Sequence, residues 1–412
     1  MRELTTQCCV IGGGPAGMTL GLLLARQGVD VIVLEKHADF LRDFRGDTIH
    51  PSTQELMYQL GWDEDFHRLP HARLERITID LRGGPVTFAD FRRLPVHHPY
   101  VAFMPQWDFL DFLAEKGREF PSFRLLMSTP GTELVVSDDG VTGVRASGEG
   151  GDLEISADLV VAADGRHSAI REQAGLVPVA SSPPMDVLWL RVSRRPTDSV
   201  PFFTASGRGL VSINRGDYWQ LAYLIRPGGF ADVRREGLTA LWEGITDLAP
   251  DLADRVEEIA SWDDVHHLAV RVDRLRRWHR PGLLCIGDSA HAMSPAGGVG
   301  INLAVQDAVA TANIVGPRLA AGALDESDLA RVQARRMWPT RVTQALQIAI
   351  GRRLFPRDDA RRVLNTPLGS DGARVPAFVR LFRWFPSLSR VTGRLVGIGV
   401  RPERVEPERV RV

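Results

Sequence analysis

The sequence is poor in cysteine and lysine and has no long apolar run. Its three cysteines, Cys8, Cys9 and Cys285, rule out a disulfide framework. Cys8 and Cys9 adjoin in one apolar run, where strand neighbours cannot bridge. All three read as small buried hydrophobes of a reducing compartment. Lys36 and Lys116 are the only lysines, so the basic residues are almost all Arg; 50 basic against 51 acidic residues leave a net charge of −1. That balance gives no general attraction to nucleic acid or acidic membrane. No run reaches the ~20 apolar residues of a membrane span. The first residues run straight into a strand pattern, with no leader pattern, so the cytoplasm is the expected location. The pairs His97-His98 and His266-His267 lack metal-ligand spacing and evident partners, so no metal is expected. No nucleophile triad is expected either, and His291 reads as a packing or helix-entry residue because nothing in the sequence pairs it.

A chain of 412 residues carries more mass than one small core needs. Residues 6–11 form a short apolar run, residues 15–27 have helical composition ending at Gly28, and residues 30–35 are a second β-branched run. Together they make a β-α-β unit, which implies a parallel sheet covered on both faces. Between strand and helix lies Gly12-Gly13-Gly14-Pro15-Ala16-Gly17. Gly12 suits a tight turn, Gly14 lets backbone approach a pyrophosphate, and Gly17 lets helix and strand pack closely. The phosphates then face the positive end of the helix. Glu35, with Lys36 beside it, ends the second strand where a carboxylate can accept from a ribose. A carboxylate there repels a 2′-phosphate, so the tightly held dinucleotide is expected to be FAD or NAD rather than NADP.

Two further apolar runs, 158–163 and 283–287, lead into Asp164-Gly165 and Asp288. Ligands of open α/β sheets lie beyond the carboxyl ends of strands, so three distant stretches are expected to meet at one site. After Asp288 comes Pro295-Ala296-Gly297-Gly298-Val299-Gly300-Ile301-Asn302, opening a helix from about Gly300. Its N–H groups suit the pyrimidine edge of a flavin, where charge gathers on reduction. The segment Asp164-Gly165-Arg166-His167-Ser168-Ala169-Ile170-Arg171 completes the set; Arg166 and Arg171 read mainly as solvated surface arginines.

These three motifs, in this order, resemble the flavin-dependent aromatic hydroxylases of the p-hydroxybenzoate hydroxylase type, the group A monooxygenases, which include ubiquinone-pathway hydroxylases. The resemblance spans about residues 5–315. It implies an α/β fold with an α+β substrate part: a Rossmann-like FAD-binding domain (1–75, 101–175 and 276–320), an inserted antiparallel-sheet substrate domain (76–100 and 176–275), and a C-terminal helical region (321–412). Arg45 resembles the family arginine near the FAD diphosphate, and Gln106 the glutamine at the ribityl chain. The cofactor set implied is Gly12, Gly14, Pro15, Ala16, Gly17, Glu35, Lys36, Arg45, Gln106, Asp164, Asp288, Pro295, Gly298, Gly300, Ile301 and Asn302.

The implied chemistry is reduction of FAD by NADH or NADPH, addition of O2 at C4a, and transfer of one oxygen from the hydroperoxide to an electron-rich ring. The cofactor does the hard step while the protein orients and excludes water. The substrate is then a small aromatic, phenolic or polyketide-like molecule. Trp189, Ser212, Asn214 and Tyr223 are its candidate contacts, Ser212 and Asn214 sharing one strand face. Where the benzoate enzyme places a carboxylate-binding arginine, this chain has Asn214, with Arg215 and Arg191 nearby. Phe202, Phe203 and Trp219 add aromatic surface that suits a bulky apolar ligand. Baeyer–Villiger oxidation, epoxidation and oxidative decarboxylation use the same cofactor and stay open, as does a flavin-binding protein without turnover. A halogenase is disfavoured by the missing Trp-x-Trp-x-Ile. Residues 378–400 mix apolar and Arg residues, but Pro386, Gly393, Gly397 and Gly399 spoil a long amphipathic helix; a helix pair covering the FAD domain or a homodimer contact is expected there rather than membrane insertion.

Overall fold

The computed structural model describes residues 2–41, 47–81, 84–148, 150–181, 185–205, 208–354 and 377–406. Arg45 lies outside the described residues. The first large sheet runs, in spatial order, His279–Arg280, Leu283–Cys285, Gly151–Ala162, Arg2–Ile11, Val31–Leu34 and Phe123–Leu126. Its five central and distal strands are parallel. A hairpin, Gly131–Ser137 and Gly140–Gly148, extends it antiparallel from Gly151–Ala162.

The centre of this sheet reads as continuous apolar sequence because both faces are covered. Cys8, Cys9, Val10, Val31, Ile32, Val33 and Leu159–Val161 are buried. The helix Pro15–Arg26 contributes Met18, Leu20, Leu22, Leu23 and Leu24, each almost fully buried and each worth about 2 kcal/mol of transfer free energy. The long helix Gly300–Ala320 packs beside it, apolar nearly all round because it too is buried. All three cysteines are free and buried; burial pushes Cys9 and Cys285 up to about 12, which removes thiolate chemistry.

The second large sheet has the order His266–Leu268, Asp186–Ser193, Tyr218–Ile225, Gly209–Asn214, Phe203–Ala205, Arg76–Leu81 and Val86–Asp90. Its strands alternate, one face for each of two cores. Leu188, Leu190, Leu210, Leu221 and Tyr223 pack with Val233, Leu241, Ile245 and Leu248 from the helices Phe230–Glu236 and Leu238–Leu248. Val187, Trp189, Val211, Ile213 and Ala222 point the other way, toward Met293, Ala296, Val299 and Leu303. The sheet therefore roofs the start of the long helix.

Residues 377–397 form the helices Ala377–Trp384 and Leu388–Gly397. They lie on the strand Val86–Asp90 rather than on the parallel sheet. A Cβ on Gly393 would come within 2.2 Å of the Asp90 carbonyl oxygen, and Val396 joins Phe91 in the inner core. Among the described residues no helix is long and apolar enough to cross a membrane.

Candidate cofactor and substrate site

The parallel strands end level with one another. Gly12 donates to Leu34 at 2.8 Å, Ala163 to Ile11 at 2.8 Å, and Ile286 to Ala162 at 3.0 Å, so the ladder carries on just past each strand. This register brings Gly12–Gly17, Asp164–Arg171 and Asp288 to one edge of the sheet.

At the first turn, Gly12 has φ +109°, and a Cβ there would lie 2.4 Å from the Ala163 oxygen. A Cβ on Gly17 would lie 1.9 Å from the Gly12 oxygen, which forces glycine where helix and strand touch. A Cβ on Gly14 would instead meet open space. The helix it caps has Pro15 at its start, no acidic residue in its first turn and no side-chain cap. Its leading N–H groups and its dipole are left for an anion. Ala16 sits beneath, packed near Gly287. Glu35 is buried and accepts from Gly13 N at 2.9 Å and His37 N at 3.0 Å. Lys36, next along, is exposed.

Asp164 has a buried oxygen, Oδ1, without a protein partner. Burial raises its carboxyl above the usual carboxylate range, against the pull of Ser168 and Arg171. Arg171 is not a solvated surface residue: it is 2% exposed and donates to the carbonyls of Ser289 at 2.9 Å and Arg166 at 3.0 Å. It is the buried strut between the second and third motifs. The Arg166 guanidinium lies 3.7 Å from the half-exposed Asp288 carboxylate.

The loop from Pro295 turns through Gly297 (φ +79°) and Gly298 (φ +64°) into the helix at Gly300. Thr48 Oγ1 donates to the Gly298 carbonyl at 2.9 Å, and His50 Nε2 faces the same oxygen at 3.1 Å. Gly300 faces open space, and its helix has neither an acidic first turn nor a side-chain cap. Ile301 is buried, and Asn302 Oδ1 accepts from Ser52 at 2.5 Å and Thr53 at 3.1 Å. Gln106 opens the helix Gln106–Arg118, where its backbone amide bonds the Asp47 carboxylate. Two bare helix N-termini, an open glycine cradle and an unpartnered buried carboxylate oxygen together fit FAD.

His291 does have a partner. Its Nε2 lies 2.5 Å from Asp307 Oδ2; Asp307 Oδ1 accepts from Arg336 Nε at 2.9 Å, and Oδ2 also accepts from Gly287 N at 3.1 Å. Arg336 continues to Glu403 at 3.1 Å, which Arg335 grips through both oxygens. Burial opposes charge on Asp307, yet His291 and Arg336 hold its carboxyl below the usual range. The sequence contained a clue, since one acid in the apolar helix run 303–310 requires a buried partner. Asp47 had no such clue: it pairs with Arg215, and both are 8% exposed. Burial lifts Asp47 to about 6 despite Arg215, Gln220 and Gln106. Arg215 is thereby committed to the protein, and Arg191 stacks on Tyr218 at 4.1 Å.

Of the substrate candidates, only Trp189 lies on the face toward the loop 293–303. Ser212 pairs with Leu221 on the opposite face and is 3% exposed. Tyr223 is in that same outer core, where burial pushes its phenol up to about 12. Asn214 accepts from Gly216 N at 2.9 Å and serves as a turn residue. Strand alternation is the reason: the inward residues are the neighbours Val211 and Ile213. Phe202 and Phe103, in edge-to-face contact at 5.6 Å, complete the inner aromatic surface, whereas Trp219 faces outward.

The family model described as "FAD binding domain" matches residues 5–344. The 6-methylpretetramide 4-monooxygenase of Streptomyces rimosus is 34% identical over 382 residues, covering 92% of this chain and 91% of that protein.

The chain belongs to the group A flavin monooxygenases.

It is an FAD-dependent monooxygenase. Aklavinone 12-hydroxylase of Streptomyces peucetius is 27% identical over 72% of the chain and 65% of its own length. In fold, the chain is similar to the anhydrotetracycline hydroxylase of Streptomyces rimosus, with TM-score 0.72 and 22% identity over 97% of this chain and 77% of that one.

Proposed function

We propose that this monooxygenase hydroxylates a bulky, polycyclic phenol of the polyketide type, with NADH or NADPH as reductant and O2 as oxygen source. The observation that carries the reading is the apolar inner face of the roofing sheet, Trp189, Val211, Ile213 and Phe202, set opposite the Gly297–Gly300 helix start. Arg215, the nearest sequence candidate for gripping a substrate carboxylate, is tied to Asp47. The 6-methylpretetramide and aklavinone oxygenases among the relatives support the same substrate class.

When bound, FAD supplies the oxygen-transfer chemistry. The chain's own part is to hold it at Gly12–Gly17, Glu35, Asp164, Asp288 and the Gly298–Asn302 helix start, and to keep water from the reacting edge. The N–H groups at Gly300 and Ile301 suit negative charge on the flavin's pyrimidine edge. Substrate-stimulated NAD(P)H oxidation over a panel of polycyclic phenols and simple benzoates tests the proposal. Stimulation by polycyclic phenols, with a singly oxygenated product, is expected; stimulation confined to small benzoates refutes it.

A further inference from the structure

On one flank of the parallel-sheet unit, His67, His71, His97 and His98 gather around the short helix Asp63–His67. The His67 and His98 rings lie 3.7 Å apart. His67 and His71 are 5.7 Å apart, and His97 stacks on Tyr58. Hydrogen-bond accounting fixes the state of His67. The Gln54 amide nitrogen donates to the carbonyls of Ile49 at 3.1 Å and Tyr100 at 2.7 Å, which can only accept. Gln54 Oε1 is therefore the atom 3.3 Å from His67 Nε2, and that nitrogen must carry the proton.

The other nitrogen, His67 Nδ1, faces two oxygens: the Asp63 carbonyl at 2.8 Å and Asp63 Oδ1 at 3.2 Å. His98 Nε2 approaches the same Oδ1 at 2.9 Å and makes its hydrogen bond to Asp63 Oδ2 at 3.1 Å. Oδ1 is shielded from solvent and makes no well-aligned hydrogen bond. A lone pair aimed at two oxygens is repulsive, so Nδ1 needs either a second proton or a shared cation. The ligand-type atoms of Asp63, His67 and His98 all lie within 4.8 Å of one another. Donor atoms bound about 2.1 Å from one metal stand roughly 3.0–3.4 Å apart, close to the separations here.

We propose that Asp63, His67 and His98 form a binding site for one divalent ion of the zinc class, clipping the segment around His98 onto the helix Asp63–His67. Two imidazoles and a carboxylate are the donor set that such borderline ions take. Gln54 is fully buried and acts as the outer hydrogen-bond partner that orients a ligating histidine. Asp63 and His67, four apart, share a helix face, but His98 comes from a separate segment, which is why inspection of the His97-His98 pair alone finds no metal pattern.

The test is zinc titration of the chelator-stripped, flavin-loaded full chain against a chromophoric competitor. The wild type is expected to take up one zinc ion. His98→Asn and Asp63→Asn should each weaken uptake by about tenfold or more. His97→Asn, whose ring contacts Glu55 instead, should leave it unchanged. Flavin retention and far-UV circular dichroism establish that each variant is folded; if Asp63→Asn is not, His98→Asn decides. Absence of stoichiometric zinc on the wild type overturns the proposal, as does His98→Asn binding zinc as tightly as wild type.

Discussion

Neutralising Asp307 removes the centre of the buried charge chain that joins the cofactor loop to the C-terminal segment. The side chain is fully buried and takes hydrogen bonds from Arg336, His291 and Gly287. In Asp307→Asn, the Arg336 guanidinium, 1% exposed, loses the Asp307 charge and keeps Glu403 as its charged partner, with the Arg401 carbonyl beside it. Breaking a buried pair costs about 3–5 kcal/mol, and the remaining Glu403 contact places this case near 3 kcal/mol. Urea unfolding of the flavin-loaded protein measures the loss. Bound flavin should also fall, because Gly287 is the residue before Asp288. Adding Arg336→Met removes the stranded charge, so the double variant should lose less than the sum of the two single losses. A change below about 1 kcal/mol in Asp307→Asn, with full flavin retention, would refute the reasoning.

Gly17→Ala places a methyl group 1.9 Å from the Gly12 oxygen, so it should yield protein with little bound FAD, read from flavin absorbance per chain. Burial holds the fully buried His50 imidazole down at about 4. The unfolded chain takes up that proton near 6.5, so stability present above about pH 6.5 is lost as pH falls toward 4, by about 3 kcal/mol in full. His50→Gln should flatten that part of the urea stability profile, and an unchanged acid slope would count against it. Trp189→Ala should raise KM for a polycyclic phenol while substrate-free NAD(P)H oxidation stays near wild type; an unchanged KM would remove Trp189 from the pocket.

The cofactor half of this protein was legible because its constraints are local. Gly12, Gly14 and Gly17 answer to one turn, and the β-branched runs before Asp164 and Asp288 end where parallel strands must end. The helix from Gly300 was equally plain, since glycine-rich entry and apolar run adjoin. The roofing sheet was legible as strands but not as faces: alternation shows which residues share a side, and nothing in GLVSIN says which side meets the cofactor. Ser212 and Asn214 share the outer face, and their neighbours Val211 and Ile213 the inner one. Long-range pairing was hidden for another reason. Arg171 and Arg336 look like surface charges in sequence, and only packing sets Arg171 on the Ser289 and Arg166 carbonyls and Arg336 on Asp307. The helices at 377–397 were anticipated as a pair, but their seat on Val86–Asp90 depends on Gly393 meeting the Asp90 backbone.

The most direct test of the central claim is product analysis after turnover with isotope-labelled dioxygen, NAD(P)H and a polycyclic phenol. One labelled oxygen atom on the ring, absent from an Asp288→Ala variant that has lost its flavin, is the predicted result. NAD(P)H consumption with no labelled product from any phenol tested would contradict it.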